Sequence, residues 1–303
     1  MRAEGVCYVT LLKCATWVVG TVSETVERYE KWFDYSVVES GEVPADLAAS
    51  WGAPNSAGKP YAVLQPVSGQ EVFLRFVEGE PVESYEPIRT LGWAATEICV
   101  QDVEVVNARM EQSPFDIIGP PKPLDGFPTV KPMQVRGPDK EIVYLTEIKV
   151  DDPASGLPEP QSLVDRPFIM VLACSDLARS IEWVKEVFGF EMIDPIAIEY
   201  SMITLAFNLP KDQKTELVTA KWKGEVFLEL DQYPEEVTKR EARPGELPPG
   251  VAITTIEFPG FDRLHGHWVS EPTVRDGPLY GGKRAGVLRC PDGALFEVVE
   301  RAS

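Results

Sequence analysis

The second half of the chain contains hydrophobic spacing typical of a strand followed by a helix. Residues 168–174 (FIMVLAC) form a short apolar run, which predicts a buried strand. Ser175 and Asp176 follow as N-cap residues, and Gly189 stands where the helix would end. Between them, apolar residues recur every three to four positions at Leu177, Ile181, Val184 and Phe188, which predicts an amphipathic helix.

The first half repeats this order of patterns. Residues 9–15 (VTLLKCA) predict a strand, and Phe33 ends a run with helical spacing. Phe33 precedes Phe188 by 155 residues, and the string EVFL at Glu71 recurs 154 residues later, at Glu225. The two halves are therefore interpreted as an internal repeat.

Each half also contains a second unit of the same kind. It consists of a strand, a helix and a closing strand that follows a Pro-Asp turn. The segments are 92–100, 102–111 and 140–148 in the first half, and 250–258, 261–269 and 294–300 in the second. Further helical stretches are expected near Ala45 and Ile198. The pattern predicts an α+β fold of four βαβββ units.

The segment 149–166 (KVDDPASGLPEPQSLVDR) has no apolar periodicity and is rich in Pro, Asp and Ser. Such a composition is typical of a linker. We therefore expect an N-terminal domain of units 1 and 2 in residues 1–150, a linker at 151–166 and a C-terminal domain of units 3 and 4 in residues 167–303.

Composition and charge exclude several classes of partner. The 303 residues include 29 basic and 48 acidic side chains, a formal charge of −19, which disfavours nucleic acid and anionic membrane surfaces. No apolar run approaches the ~20 residues of a membrane span. The cysteines are odd in number, scattered and without a CxxC pair, which favours a reducing cytoplasm. They are Cys7, Cys14, Cys99, Cys174 and Cys290.

The four units, with the start DLARSIEWVKEVFGFE and the end PDGALFEVVE, resemble the vicinal oxygen chelate superfamily. This superfamily includes glyoxalase I, extradiol dioxygenases, methylmalonyl-CoA epimerase and bleomycin-resistance proteins. The resemblance implies paired units that form two half-open barrels, each holding a small molecule on its concave face. It also implies metal ligands on the first and last strands of the units, where a divalent ion chelates two neighbouring substrate oxygens.

The ligand positions that the resemblance implies are mostly substituted. On the first strands they fall near Cys14, Ala95, Ile169 and Ile253, and on the last strands on Arg75, Tyr144, Glu229 and Glu297. Both histidines, His265 and His267, lie elsewhere. A first-row divalent ion needs three or four N or O ligands. We therefore expect no metal cofactor, and a weak cation site at Glu229 and Glu297 remains an alternative.

Substituted positions suggest acid–base chemistry in the first half. Arg75 and Tyr144 are expected to share a pocket floor with Phe73, and Cys14 and Thr96 are expected opposite as substrate-binding residues. Arg75 would bind an anionic oxygen, and Tyr144, its pKa lowered by the arginine, would transfer a proton. Alternatively, Arg75 is a buried structural ion-pair partner and Tyr144 a core aromatic residue.

Glu229 and Glu297 are expected to face each other in the second half. A carboxylate pair in an apolar cavity raises one pKa, which suits proton transfer next to a carbonyl. Alternatively, the two residues are remnants of a metal site and are bonded to other groups.

The leading hypothesis is a metal-independent lyase or isomerase that acts on a small aromatic or carbonyl-bearing molecule. One alternative is a non-catalytic protein that sequesters a small molecule. A second alternative is a metal-dependent lyase or dioxygenase with an atypical site. The chain is expected to be a monomer or a homodimer.

Overall fold

The computed structural model describes residues 10–124, 126–149 and 155–301. Unit 1 contains β1 (Leu12–Val19), α1 (Val22–Phe33), β2 (Tyr35–Glu42), α2 (Ala45–Ser50), β3 (Pro60–Pro66) and β4 (Phe73–Glu78). Unit 2 contains β5 (Gly92–Val100), α3 (Val103–Met110), β6 (Asp116–Gly119), β7 (Val130–Arg136) and β8 (Ile142–Ile148).

The second half repeats this order with additional short elements. Unit 3 contains β9 (Val164–Cys174), α4 (Leu177–Phe188), β10 (Glu191–Met192), β11 (Ile196–Glu199), α5 (Ser201–Phe207), β12 (Lys214–Trp222) and β13 (Glu225–Gln232). Unit 4 contains β14 (Gly250–Phe258), a 3-10 turn (Phe261–Leu264), β15 (Thr273–Arg275), β16 (Lys283–Arg289) and β17 (Leu295–Glu300). The α+β class and the four repeated units are confirmed.

The helix ends follow from local sequence. The Asp102 carboxylate accepts hydrogen bonds from two backbone N–H groups in the first turn of α3, and Asp176 accepts one from the first turn of α4. α4 ends at Gly189 and α1 at Asp34, both with a left-handed backbone. Glycine adopts that conformation without a steric penalty, and aspartate tolerates it better than most residues.

Two predicted helices differ in the structure. The helix expected at 261–269 is a single 3-10 turn, because Gly266 takes a positive φ of 91° and the chain then bonds to β16. There the Val269 N–H donates to the Val287 carbonyl at 2.7 Å. Ile198, expected in a helix, lies in β11, and α5 begins at Ser201.

The strands form two sheets, each built from one unit of either half. The first has eight strands in the order β15-β16-β17-β14-β1-β4-β3-β2. The second has nine strands and includes β10-β12-β13-β9-β5-β8-β7-β6, with β11 paired to β12. At the centre of each sheet two first strands run antiparallel, β1 beside β14 and β5 beside β9.

The units are therefore not paired within each half, as the sequence-based division assumed. Unit 1 shares a sheet with unit 4, and unit 2 with unit 3. The repeat shows which units are equivalent, but it contains no information about which units are neighbours. β5 and β9 are both buried along their whole length, so each needs a neighbouring strand for its N–H and C=O groups, and in this chain they supply it to each other.

The segment expected as a linker ends earlier than predicted. Val164, Asp165 and Arg166 belong to β9, and the Arg166 guanidinium bonds Glu225 at 2.8 Å. Residues 150–154 lie outside the described residues. Whether either half folds as an independent domain stays a prediction.

One apolar core contains residues of both sheets and of α1, α3 and α4. Trp17 and Trp93 lie in it, and their indole N–H groups donate to Thr96 Oγ1 at 3.2 Å and to the Leu295 carbonyl at 2.9 Å. Two further buried clusters flank this core, one for each sheet. We call them the first face, for the sheet of units 1 and 4, and the second face, for the sheet of units 2 and 3.

The pairing predicts how the halves behave when they are separated. Residues 1–150 alone should aggregate, because β1 and β5 would each expose an apolar edge that β14 and β9 cover in the whole chain. Co-expression with residues 151–303 should give a soluble one-to-one complex by size-exclusion chromatography. A soluble 1–150 monomer with a cooperative thermal transition would contradict this expectation.

Candidate active site

The first face carries a row of polar side chains across its four central strands. β4 supplies Arg75, β1 supplies Thr16, β14 supplies Thr255 and β17 supplies Glu297. The strand register places Thr16 beside Arg75 and Thr255 beside Glu297. Arg75 and Glu297 are each 1% exposed. The sequence thus places a cation and an anion in one buried row.

Hydrogen bonds within this row occupy both charged groups. Arg75 Nη2 donates to Glu297 Oε2 at 2.9 Å, and Arg75 Nε donates to Thr16 at 2.9 Å. Arg75 Nη1 donates to the Tyr280 hydroxyl oxygen at 2.6 Å. The guanidinium also lies 4.7 Å from the ring centroid of Trp51. A guanidinium bonded through all three of its nitrogens has little capacity left for a ligand.

Glu297 is held by four donors. Trp51 Nε1 and the Tyr280 hydroxyl donate to Oε1 at 2.9 Å each, and Thr255 donates to Oε2 at 2.8 Å, beside the bond from Arg75. Burial raises the pKa of Glu297, but the Arg75 charge and these donors lower it below its ordinary value. Glu297 is therefore a permanently ionised ion-pair partner.

Cys14 and Phe73 lie in the apolar cluster of the first face beside this ion pair, and their role in substrate binding stays a prediction. Burial raises the pKa of the Cys14 thiol to about 12, so the thiol is protonated at neutral pH. The other members of the predicted pocket are elsewhere. Thr96 lies in the central core, where it bonds Trp17, and Tyr144 lies on the second face. Arg75 and Tyr144 therefore do not share a pocket floor, because their strands belong to different sheets.

The second face places three carboxyl groups together, of which those of Glu97 and Asp231 are buried and that of Glu229 is half-buried. β13 supplies Glu229 and Asp231, which point to the same side because they are two residues apart on a strand. Glu97 comes from β5 and bonds the hydroxyl of Thr146 on β8. Glu229 and Glu297 thus lie in different sheets, so the predicted pair of facing glutamates does not form.

Tyrosine hydroxyls lie beside these carboxyls. The Tyr200 hydroxyl is 3.3 Å from Glu229 Oε1 and 3.1 Å from the hydroxyl of Tyr144. Burial raises the pKa of Tyr144 well above its ordinary value, against the lowered pKa that was expected from a neighbouring arginine. Tyr144 is therefore a hydrogen-bond donor at neutral pH and does not serve as a source of phenolate.

Burial also determines the titration of the carboxyls. It raises the pKa of Glu229 to about 7, against hydrogen bonds with Asp231 and Tyr200 that lower it. Burial raises the pKa of Glu97 to about 8, with a further contribution from the charge of Glu229. Burial and the Glu229 charge raise the pKa of Asp231 well above its ordinary value. None of the three forms a salt bridge within the described parts of the chain.

Neither face presents the donor set of a divalent metal site. On the first face the Arg75 guanidinium lies where a cation would have to bind Glu297. On the second face, the positions equivalent to Thr16 and Glu297 are held by Val171 and Tyr144. No group of three or more His, Cys, Asp or Glu with metal-binding geometry occurs among residues 10–124, 126–149 and 155–301. The two histidines are exposed beside the 3-10 turn.

A short helix covers each face. Leu47 and Ala48 of α2, followed by Trp51, pack against the first face. Met202 and Ile203 of α5, preceded by Tyr200, pack against the second. Tyr200 and α5 thus lie over the second face, while Glu229 keeps part of its surface exposed.

A cleft lies apart from the carboxyls of the second face. It measures about 900 Å³ and is lined largely by the loops around β13, β14 and β17. Five basic and three acidic residues line it, and Trp51 connects it to the first face. Glu97, Glu229 and Asp231 are not among its lining residues.

Sequence reasoning missed Glu97, Asp231 and Tyr200. Thr96 was predicted as the site residue of β5, and Glu97 follows it directly. Consecutive residues of a strand point to opposite faces, so the prediction selected the wrong face of β5. The alternation in Glu229-Leu230-Asp231 did contain a signal for Asp231. Tyr200 precedes a short lid helix, and no local pattern indicates the direction of its side chain.

Comparisons place the fold among known proteins. Four βαβββ units in two curved sheets define the vicinal oxygen chelate fold, and this chain has that fold. A glyoxalase I mutant from Zea mays is 16% identical and matches 96% of this chain and 94% of its own at a TM-score of 0.64. Glyoxalase I from Zea mays matches at 16% identity, 96% and 92% coverage and a TM-score of 0.63.

A putative dioxygenase from Bacillus subtilis is 13% identical and matches 96% of this chain and 85% of its own at a TM-score of 0.61. No family model and no curated protein sequence matches this chain significantly. No helix in the described residues has the length and apolarity needed to cross a membrane. The four described cysteines are buried and unpaired, and the cytoplasmic location stays a prediction.

Loss of the ion pair between Arg75 and Glu297 on the first face should lower the free energy of unfolding strongly. Arg75→Met should lower the free energy of unfolding by about 3–5 kcal/mol, because it leaves Glu297 ionised, buried and without its partner. The double variant Arg75→Met/Glu297→Gln should recover most of that loss, since glutamine is neutral and still accepts hydrogen bonds. Urea unfolding of both variants tests this, and a cost below about 1 kcal/mol for the single variant would contradict it.

Proposed function

We propose that the protein is a metal-independent enzyme that transfers a proton on a small carbonyl-bearing molecule at the second face. The reaction class would be that of a lyase or an isomerase. The observation that carries the proposal is Glu229, a half-buried carboxyl beside the Tyr200 hydroxyl, with a pKa raised to about 7 and no salt bridge in the described chain. Glyoxalase I from Zea mays and the putative dioxygenase from Bacillus subtilis, which are similar in structure, bear the names of enzymes, which agrees with a catalytic role.

Glu229 has the properties of a general base. A carboxyl with a pKa near neutrality is ionised in part of the molecules at pH 7 and is a stronger base than an exposed carboxylate. It would take a proton from the carbon next to a carbonyl, and the electron pair would move to the carbonyl oxygen. Return of the proton to carbon completes an isomerisation, and loss of a group from the neighbouring carbon completes an elimination.

The neighbours of Glu229 supply donors for the resulting oxyanion. The high pKa of Glu97 keeps its carboxyl largely protonated at neutral pH, and a protonated carboxyl can donate to an enolate oxygen. The hydroxyls of Tyr144 and Tyr200 are further donors close to Glu229. Donors that are preorganised in a water-poor cavity stabilise such charge strongly. Tyrosine rings in the surrounding cluster suit an aromatic substrate.

The first face takes no part in this proposal. The nitrogens of Arg75 and the oxygens of Glu297 are engaged with each other and with neighbouring side chains. Sequestration without turnover, the alternative hypothesis, shares the binding site but requires that every bound ligand is released unchanged.

Replacement of the base should abolish turnover without unfolding the protein. Wild-type protein treated with a chelator is incubated in D₂O with a panel of small keto acids, aldehydes and aryl ketones, and exchange at carbon is followed by NMR. Glu229→Gln should slow exchange about 100-fold or more, because it removes the proton acceptor. Glu141→Gln is the matched control, since Glu141 is also buried but lies in the turn before β8.

Three outcomes would contradict parts of the proposal. Equal exchange by wild type and the Glu229 variant would reject this base. Loss of exchange on chelation, restored by a divalent metal, would reject metal independence. Binding of a panel member without exchange would favour sequestration.

The buried carboxyls also predict opposite pH effects on activity and stability. kcat/KM should rise as the pH passes upward through about 7, because Glu229 acts as a base, and should fall above about 8, where Glu97 loses the proton that it donates. Stability should fall between pH 4.5 and about 8, since the folded chain holds protons there that the unfolded chain releases.

Variants separate these two effects. Glu141 has a pKa of about 8 through burial, so Glu141→Gln should flatten the fall in melting temperature and leave the activity profile unchanged. Glu229→Gln should also make the melting temperature fall less steeply as the pH rises, but it should abolish activity. A melting temperature that rises with pH across this range would show that these carboxyls are ionised in the folded protein.

A further inference from the structure

Asp231 is a buried carboxyl that receives no hydrogen bond from any N–H or hydroxyl group of the described chain, and a bond to its neighbour Glu229 requires a proton shared between the two carboxyls. Its side chain is 0% exposed, and it points to the same side of β13 as Glu229. A buried carboxylate without a donor or counter-charge costs several kcal/mol of desolvation. Either a bound proton or a group from outside the described chain must therefore neutralise it.

The groups that face Asp231 are acidic or weakly acidic. Glu229 lies on its own strand, and the other groups come from β5, from β8, from β9, from the residue before α5 and from the residue after β13. They are Glu97, Tyr144, Cys174, Tyr200 and Tyr233. Each of these side chains is neutral or negative, so none supplies a positive charge.

The first face shows how the same fold neutralises a carboxylate internally. There Arg75 occupies the position on β4 that Glu229 occupies on β13, and it forms an ion pair with Glu297 at 2.9 Å. The second face has the same row of strands but carries carboxyls without the arginine. A bound guanidinium or ammonium ion would supply the positive charge on the second face that Arg75 supplies on the first.

Aromatic rings surround this acidic group. Tyr144 and Tyr200 lie edge to face with centroids 6.5 Å apart, and Tyr233 packs against Phe207 of α5. Ring faces of tyrosine attract organic cations, most strongly where water is excluded. Aromatic side chains contribute little binding free energy to a hydrated metal ion. An alkylammonium group is stabilised by both the tyrosine rings and the carboxylates.

We propose that the second face recognises a substrate that carries a protonated amine, with the ammonium group held by Asp231 between tyrosine rings. The inference rests on the proposed function, because it concerns the same site and names the substrate class. The ammonium group neutralises Asp231, and Glu229 lies two residues along the strand, at the reacting carbon.

The proposal also explains why an unfavourable carboxyl is kept in the core. Asp231→Asn should raise the melting temperature, since it removes a buried group that lacks a counter-charge. Glu141→Gln should raise it for the same reason, because one oxygen of Glu141 also has no partner among the described residues. Only Asp231→Asn should weaken the binding of a cation.

Calorimetric titration with benzylammonium, benzyl alcohol and benzoate tests the recognition of charge. These probes share a ring and differ in charge, and the pH is set one unit above the Glu229 pKa of about 7. Benzylammonium should bind at least about tenfold more tightly than benzyl alcohol, and benzoate should bind most weakly. Asp231→Asn should reduce the preference for the amine to less than about threefold, while Glu141→Gln should leave it unchanged.

Several results would overturn the inference. The first is equal binding of benzylammonium and benzyl alcohol. The second is a preference for the amine that Asp231→Asn leaves unchanged, and the third is no binding of benzylammonium at millimolar concentration. Titration with Mn²⁺ alone, followed by competition with the amine, completes the test. Tight Mn²⁺ binding that displaces the amine would assign the carboxyls to a metal ion.

The result is separable from that of the proposed function. Amine binding without hydrogen exchange in D₂O would keep the ligand class and reject catalysis. Hydrogen exchange on neutral carbonyl compounds without any preference for amines would keep catalysis and reject the ligand class.

Discussion

Antiparallel pairing of first strands, β1 with β14 and β5 with β9, determines which side chains meet in this protein. The pairing places Arg75 opposite Glu297 across one sheet, and it groups Glu97 with Glu229 and Asp231 on the other. Had the units paired within each half, Arg75 and Tyr144 would have shared a face. The chemistry of both faces therefore follows from which first strands are neighbours, a pairing that also satisfies the backbone groups of two fully buried strands.

Buried charge then distinguishes the two faces. On the first face a guanidinium and three further donors satisfy one carboxylate, so the pKa of Glu297 is lowered despite its burial. On the second face burial acts on three carboxyls that have no cation among the described residues, and their pKa values rise. Equivalent backbone positions thus produce a locked ion pair on one side and a set of titratable acids on the other.

The sequence predicted the fold far better than the site. The 154-residue spacing of the two EVFL strings and the capping residues Asp102 and Asp176 are local signals, and the units they imply are present. The partners of Arg75 and Glu229 depend on long-range strand pairing, which a symmetric repeat does not encode. Glu97 was missed because a one-residue error in strand register exchanges the two faces, and the fully buried β5 has no polar alternation to fix the register.

The contrast between the faces bears on where function can lie in a repeated fold. A face whose polar groups satisfy one another gains stability, but it has no free donors, acceptors or charge to offer a ligand. A face that retains unsatisfied groups is less stable and can bind or react, as is common for active sites. In this chain the Arg75–Glu297 pair has the first property and Asp231 the second. One pair of units therefore serves as a stable support, while the other keeps the unfavourable electrostatics that a reactive site requires.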